Sequence, residues 1–261
     1  EMASGITIVS AERIQAELRG MLTGPQPAKA LSLLLETGLL AAIAPEIAAL
    51  AEIPARHVEF PASADLESPS ERTLWDHAMR MVSRLRERSF SLVLGVMAAK
   101  IGVGKSPATI DAAARASEPL ARALCQRLKT SNQDEEDVCR LVRRQGSLFG
   151  AENLPWSKLQ PLLIEKGIEE RLEFHRAECL TLGLADDDAR YCRSRLELPA
   201  EELNPAPLLN GNDLIKHGVP RGSIYRVLLN RVRDAQLENE IRNKRQALAL
   251  VDRVLQEESA S

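Results

Sequence analysis

The segment Gly102–Ser106, with the sequence Gly-Val-Gly-Lys-Ser, contains the residue types of a phosphate-binding loop. In such a loop, backbone amides and a lysine side chain bind the phosphates of a nucleotide. The full pattern also requires a glycine five residues before Gly104, where this chain has Ala99. It requires a preceding strand as well, and the surrounding pattern is helical. We therefore predict that Gly102–Ser106 is a loop that ends a helix and binds no nucleotide.

A second candidate for chemistry begins at His77 and continues in the segment that follows a predicted helix. The order of residues resembles the His…His-Asp (HD) region of bacterial tRNA nucleotidyltransferases and related poly(A) polymerases. In that family a first histidine precedes a helix that ends in His-Asp-Ile-Gly-Lys. His77 matches the first histidine, and Ile101 and Gly102 match the Ile-Gly pair. Ala99 and Lys100, however, stand where the family has His and Asp.

Later segments extend this resemblance to the HD region. Leu141–Gln145 resembles the segment that normally carries another histidine, and it contains none. Glu178 resembles the last position of the pattern, which is usually Asp. A divalent cation needs several anionic or imidazole ligands that converge on it. With the ammonium of Lys100 in place of a carboxylate, we expect no bound metal and no phosphohydrolase activity. We expect His77 to be a satisfied core histidine or one that packs between helices.

The resemblance is colinear over most of the chain, and its strongest stretch is Glu202–Leu214. The family's catalytic head carries a glycine-rich nucleotide loop and two metal-binding aspartates on strands, and nothing in this chain resembles either. Asp186–Asp188 is the one carboxylate cluster of that kind, and we interpret it as a solvated turn or helix N-cap. The chain begins with Glu1 and not with an initiator methionine, so we expect that an upstream part was removed.

Local charge provides the remaining functional signal. Residues 216–245 contain eight Lys or Arg against three Asp or Glu, a net charge of +5 in a chain of net charge −3. Arg226 and Arg233 lie two helical turns apart, which predicts a shared face opposite Leu228 and Val232. Arginines on such a face can bind phosphates bidentately. The predicted RNA-binding residues are Lys216, Arg221, Arg226, Arg231, Arg233, Arg242 and Lys244. A solvated helix face is the alternative interpretation.

Hydrophobic periodicity predicts helices throughout, with Ser91–Val96 as the one segment that also fits a strand. Pro54–Ser70 is predicted to be a long loop, and Pro199–Gly211 a boundary. The helices are predicted from Ser10 to Gly24, from Pro27 to Gly38, at Leu39–Leu50 with an interruption at Pro45, from Ser70, and at about Phe90–Ala99, Ser106–Ala116, Glu118–Lys129, Gln133–Arg144, Trp156–Lys166, Gly167–Leu182, Ala185–Leu196, Arg221–Gln236 and Arg242–Gln256.

These elements predict an all-α fold, an elongated array of short helices with an HD-domain-like central bundle. Three parts are predicted. Residues 1–56 form a helical segment that follows the absent head, residues 57–200 form a degenerate HD-like domain, and residues 201–261 form a basic helical tail. Trp75 and Trp156 are expected to be core anchors and not platforms for stacking bases.

Composition limits the possible functions of the chain. An apolar share of 44% with 27% charged residues is typical of a globular protein. No apolar run reaches the ~18 residues that a membrane span requires. Aromatic residues make up only 3%, which argues against a stacking-based binder of single strands. The four cysteines lack ligand spacing, and no signal peptide precedes them, so we expect reduced thiols, no zinc and a cytoplasmic protein.

The resemblance implies a protein that adds nucleotides to tRNA 3′ ends, in which Mg²⁺ and CTP or ATP belong to the head. This chain, for which we expect no cofactor, would be the non-catalytic helical portion that binds tRNA or another structured RNA and positions it. No membrane partner is expected. The alternatives are a residual HD-type metal-dependent phosphohydrolase and a stand-alone helical scaffold that binds a protein.

Overall fold

The computed structural model describes residues 9–60, 73–104, 106 and 108–259. Three positions used above lie outside these residues, namely Glu1, the predicted helix start Ser70 and Lys105 of the glycine-rich segment. Within the described residues the chain is almost entirely helical, which confirms the predicted all-α class. None of these helices has the length and apolarity that a bilayer crossing requires.

The contacts between residues group the chain into two compact units. Unit 1 contains the residues up to Phe149 together with Glu169–Arg190, and unit 2 contains Gly150–Ile168 and Tyr191–Ser261. The divisions predicted at residues 56 and 200 concern separately folding domains and remain a prediction. In chain order the described helices are α1 (Ala11–Thr23), α2 (Pro27–Glu36), α3 (Leu39–Ile43), α4 (Pro45–Ala48), α5 (Leu74–Arg84), α6 (Phe90–Ala98), α7 (Ile110–Arg127), α8 (Asn132–Arg143), α9 (Trp156–Leu163), α10 (Ile168–Thr181), α11 (Asp187–Leu196), α12 (Ala200–Leu203), α13 (Gly211–Lys216), α14 (Ile224–Leu237) and α15 (Lys244–Ser259).

Unit 1 is built around α6, in which every residue is buried. Ser89 caps this helix, since its hydroxyl accepts a hydrogen bond from the backbone N–H of Leu92. Helices α1, α5, α7 and α8 pack against α6. The possible strand at Ser91–Val96 is therefore wrong. A helix that is apolar on all sides and a fully buried strand show the same uninterrupted hydrophobic run, so periodicity could not separate them.

Two further predictions about unit 1 differ from the structure. The separate helices predicted at Ser106–Ala116 and Glu118–Lys129 are one helix, α7, which contains Pro119. Pro119 and Arg115 are both exposed, so water can hydrogen-bond the Arg115 carbonyl that the proline leaves without a donor. The segment predicted as a long loop after Pro54 contains strand β1 (Val58–Glu59), which pairs in parallel with β2 (Ala108–Thr109).

A buried charge network holds α10 against the end of α5. Arg176 donates hydrogen bonds to Glu173 and, through Nη2, to the backbone carbonyl of Arg84 at 2.5 Å. Glu173 Oε1 accepts the backbone N–H of Arg86 at 2.5 Å. These contacts satisfy backbone groups just where α5 ends. The network thereby fixes the part of α10 that precedes Glu178.

Unit 2 has its own apolar core, which α13, α14 and α15 share. Leu214, Leu228 and Val251 are fully buried in it. Asn210 caps α13 in a reciprocal arrangement with Asp213, in which each side chain accepts from the other's backbone N–H. Helices α12 and α13 include residues of the segment predicted as a boundary at Pro199–Gly211. Both are short, with too few residues to show a period.

The close approach between the turn after α6 and helix α7 requires Gly102. Its N–H donates to Ser117 Oγ at 2.9 Å, and a Cβ at this position would overlap the backbone of Ala116 and Ser117. We predict that Gly102→Ala lowers the free energy of unfolding by about 1–3 kcal/mol, the usual cost of overpacking. Urea unfolding measures the change. Gly104→Ala is the matched control, since a Cβ there meets nothing within 4 Å. Equal stability of the two variants would contradict the role given to Gly102.

Candidate functional site

The structure brings together four side chains from the segments that resemble the HD region. They are His77 from α5, Lys100 after α6, Gln145 after α8 and Glu178 from α10, and each is at most 4% exposed. Lys100 Nζ donates to Glu178 Oε1 at 2.8 Å and to Gln145 Oε1 at 2.5 Å. Gln145 in turn donates through Nε2 to the carbonyl of Ala99 at 2.5 Å. The ammonium of Lys100 is therefore the centre of this cluster.

The charges of the cluster depend on one another. Burial is the largest single influence on Glu178 and raises its pKa, but the contacts with Lys100 and His77 together outweigh burial and lower that pKa from its ordinary value of 4.5 to about 2. Burial lowers the pKa of His77 below its ordinary 6.5, so the imidazole is neutral at pH 7. Its Nε2 lies 3.9 Å from Glu178 Oε1, which is too long for a hydrogen bond.

His77 is thus buried as expected, but it is not the satisfied histidine of the sequence-based prediction. Its ring stacks on Phe60 with the centroids 5.1 Å apart. Its Nε2 nonetheless has no hydrogen-bond partner among the residues described, and the same holds for Glu178 Oε2. The prediction was wrong on this point because a sequence shows apolar neighbours and not which polar partners reach the ring.

The donor set of this cluster does not fit a divalent metal ion. The ammonium of Lys100 would repel a cation, and it already pairs with Oε1, one of the two carboxylate oxygens of Glu178. Across the part of the chain that the structure describes, no group of three or more His, Cys, Asp or Glu side chains is arranged to hold a metal ion. The cluster is a buried ion pair with a neutral histidine beside it.

A cysteine, a histidine and an aspartate also meet in unit 1. Cys179 Sγ lies 3.4 Å from His175 Nε2, which lies 3.6 Å from Asp188 Oδ2. Burial and the nearby carboxylates raise the pKa of Cys179 to about 12, so its thiol stays protonated and is not an activated nucleophile. Asp186 directly precedes α11 and pairs with Arg190 at 3.2 Å, as expected for a turn or N-cap.

Unit 2 carries most of the predicted RNA-binding cations at its surface. We define the basic surface as six exposed side chains on or near α13–α15 whose charged groups have no ion pair with any described residue. Its members are Lys216, Arg221, Arg226, Arg231, Arg242 and Arg245. Because these groups are solvated and not neutralised, an anionic partner can reach them.

Two of the predicted cations are engaged by other residues of unit 2. Arg233 donates through Nη1 to the carbonyl of Pro205 at 2.7 Å and through Nη2 to Asn204 Oδ1 at 2.8 Å. Its half-burial lowers its pKa, whereas Arg226 is exposed, so the predicted common face of these two arginines is covered at one end. Lys244 forms an ion pair with Asp213. The spacing of residues along a helix predicts neither the partners of Arg233 nor the ion pair of Lys244.

The two tryptophans have different surroundings. Trp75 is buried in the core of unit 1, which confirms the expectation for this residue. Trp156 is half-buried and lines a cavity in unit 2, so it is not a core anchor. The sequence contains no signal that distinguishes the two residues, because both stand at the beginning of a helix.

Comparison with known proteins finds one matching family model and several similar curated proteins. Residues 1–50 match the family model described as "Probable RNA and SrmB- binding site of polymerase A", and α1–α4 lie within this range. The chain is 27% identical over 250 residues to a Multifunctional CCA protein of Burkholderia pseudomallei strain 668, which covers 92% of this chain and 57% of the relative. The protein of the same name from Burkholderia orbicola is 26% identical over 257 residues, which cover 95% of this chain and 59% of that relative. No solved structure matches.

The chain is therefore similar to Multifunctional CCA proteins over most of its length, and to the polymerase A family model over its first 50 residues. It spans less than two thirds of the length of these curated relatives.

The buried ion pair generates a prediction about stability. Lys100→Met leaves the Glu178 carboxylate buried without a counter-charge, so we expect a loss of about 3–5 kcal/mol in the free energy of unfolding. The double variant Lys100→Met/Glu178→Met removes both charges and is expected to recover most of that loss. Urea denaturation of the wild type, both single variants and the double variant measures the coupling. Additive losses in the double variant would show that the pair does not act as a unit.

The lowered pKa values of His77 and Glu178 predict a loss of stability in acid. Each group binds protons less readily in the folded state, so the unfolded state gains protons first as the pH falls. The loss begins near pH 6.5 for His77 and near pH 4.5 for Glu178, the ordinary values of these groups. His77→Phe keeps a ring against Phe60 and should flatten the profile below pH 6.5. Unfolding free energies measured from pH 8 to pH 5 test this, and parallel profiles would contradict it.

Proposed function

We propose that this chain is the non-catalytic, RNA-binding helical portion of a tRNA nucleotidyltransferase-like protein, and that unit 2 binds a structured RNA such as tRNA. The observation that carries the proposal is the basic surface, whose six cations are exposed and have no ion pair with a described residue. Kinship with proteins named Multifunctional CCA protein, and a family model named for RNA binding, support the choice of RNA as the partner.

The chemistry of the basic surface suits a phosphate backbone. Arginine presents a planar fork of N–H donors that matches two phosphate oxygens, and five of the six cations are arginines. They are distributed over three helices and the segments between them, so they can contact phosphates along a folded RNA. Such contacts fix the position and orientation of the RNA and do not depend on its sequence.

In this proposal the chain positions RNA and does not transform it. Holding a 3′ end in a defined place contributes to nucleotide addition through proximity alone. Mg²⁺ and CTP or ATP would be bound by a part of the protein that corresponds to the remainder of the relatives. The ammonium of Lys100 argues against the alternative of a metal-dependent phosphohydrolase.

A protein-binding scaffold is the second candidate function, and one observation favours it. Helices α1–α3 form an apolar groove of about 370 Å³, lined by residues that include Ile14, Met21 and Leu39. Met21 is 38% exposed, which is high for a methionine beside other apolar side chains. This groove lies within residues 1–50, the range of the family model whose description includes SrmB binding.

The RNA proposal predicts binding that weakens steeply with salt. Affinity for a tRNA, measured by filter binding between 50 and 300 mM KCl, should fall linearly on a double-logarithmic plot because bound cations release counterions. Arg226→Glu/Arg231→Glu should weaken binding at least about tenfold and reduce the salt slope by about one for each phosphate that is no longer bound.

Arg56→Glu/Arg115→Glu is the matched control for this experiment. It makes the same charge change at two exposed arginines of unit 1. We expect this control to bind RNA nearly as the wild type does. Salt-independent affinity, equal losses in the two double variants, or no binding at micromolar protein would each refute the RNA proposal. In the last case, partner binding through the α1–α3 groove becomes the remaining function.

A further inference from the structure

Unit 2 contains a cavity of about 700 Å³ that no function described above uses. It lies between the start of α9, the end of α11, helix α12 and the turn that joins α14 to α15. Its volume is within the range of ~300–1,000 Å³ that is usual for small-molecule sites. All residues that line it belong to unit 2.

One wall of the cavity consists of two aromatic rings and a guanidinium group. The Arg195 guanidinium lies over the Tyr191 ring, 4.9 Å from its centroid, and over the Trp156 ring, 5.9 Å from its centroid. Arg195 Nη2 also donates to the Tyr191 hydroxyl at 3.0 Å, which fixes the orientation of both groups. Arg195 Nε is buried and has no acceptor among the described residues.

The remaining surface of the cavity combines apolar and acidic groups. Leu198, Leu208 and Ile241 contribute apolar surface. Glu201 and Glu202, both exposed, contribute carboxylates that form no ion pair with any residue of the described chain. Arg242, a member of the basic surface, also lines the cavity. A planar ligand with hydrogen-bond donors on its edge and an attached phosphate would match all three kinds of surface.

We propose that this cavity binds an unpaired purine base, with guanine preferred over adenine. The base would stack against the Trp156–Tyr191–Arg195 wall, as unstacked RNA bases do on aromatic rings and guanidinium planes. Guanine presents two adjacent edge donors, N1–H and N2–H, which a single carboxylate of Glu201 or Glu202 can accept together. Adenine presents only one amino group beside a ring acceptor. Arg242 would contact the phosphate of the bound nucleotide.

The inference deepens the proposed function and rests on it for the source of the base. The cavity itself does not identify that source, because a base extruded from an RNA on the basic surface has the same chemistry as the base of a free nucleotide. The acidic groups argue against a pocket for phosphate alone. The apolar surface could also receive a side chain of a protein partner, and the experiment separates these occupants.

The experiment uses the full chain and two kinds of probe. In a Trp75→Phe background, Trp156 is the only tryptophan, so quenching of its fluorescence reports on the cavity. We expect GMP to quench it at lower concentration than AMP, and Glu201→Gln/Glu202→Gln to remove this preference. The second probe is an RNA hairpin with one bulged guanosine, compared with the same hairpin fully paired.

Variants at Trp156 connect the two probes. Trp156→Ala should weaken binding of the bulged hairpin about tenfold and leave the paired hairpin unchanged, whereas Trp156→Phe should retain binding because it keeps a stacking ring. Arg231→Ala, outside the cavity, should weaken both hairpins equally. Circular dichroism establishes that each variant is folded.

The outcomes distinguish the cavity from the basic surface. Equal affinity for the two hairpins, without quenching by GMP, overturns the nucleobase site and leaves the RNA proposal standing. Quenching by GMP without binding of either hairpin supports a site for a free nucleotide and refutes the RNA proposal. Tight binding of the bulged hairpin that Trp156→Ala does not change overturns the nucleobase site.

Discussion

A charge inside a protein must be neutralised where it lies, and the pair of Lys100 and Glu178 places this constraint at the centre of unit 1. The two side chains are 2% and 0% exposed, and neither can reach water without unpacking the helices around it. Because Gln145 joins the same ammonium, the end of α6, the end of α8 and the middle of α10 are tied to one point. The geometry of unit 1 therefore follows from a contact that only the correctly packed fold can make.

The two units differ in how they use positive charge. In unit 1, cations such as Lys100 and Arg176 are buried and hydrogen-bonded to protein groups, so they contribute to packing and not to recognition. In unit 2 the six cations of the basic surface are solvated, whereas Arg233 connects α14 to the segment before α13. A net charge of −3 for the whole chain conceals this division, because an average cannot distinguish a neutralised cation from an exposed one.

The helices could largely be predicted from the sequence because their signals are local. Ser10 caps α1 and Pro27 begins α2, and both signals can be read from the few residues around the helix start. The candidate site was harder to predict because its determinants are distant in sequence. Lys100 and Glu178 are 78 residues apart, and the sequence showed only that a lysine stands where a metal ligand is expected, not that this lysine finds a carboxylate. The burial of Arg233 and the cavity position of Trp156 depend in the same way on segments that approach only in the folded chain.

The ion pair of Lys100 and Glu178 also restricts the paths by which this sequence can change. A metal-binding centre at this place in the fold would require at least an imidazole at Ala99 and a carboxylate at Lys100. Introducing the carboxylate alone would place two like charges beside each other in a buried space, and introducing the imidazole alone would leave the internal cation where a metal ion must go. Neither intermediate sequence has an advantage over this one, so drift by single substitutions does not readily lead from this packing to a hydrolase. The buried lysine therefore separates this packing from a metal-binding one by more than one substitution.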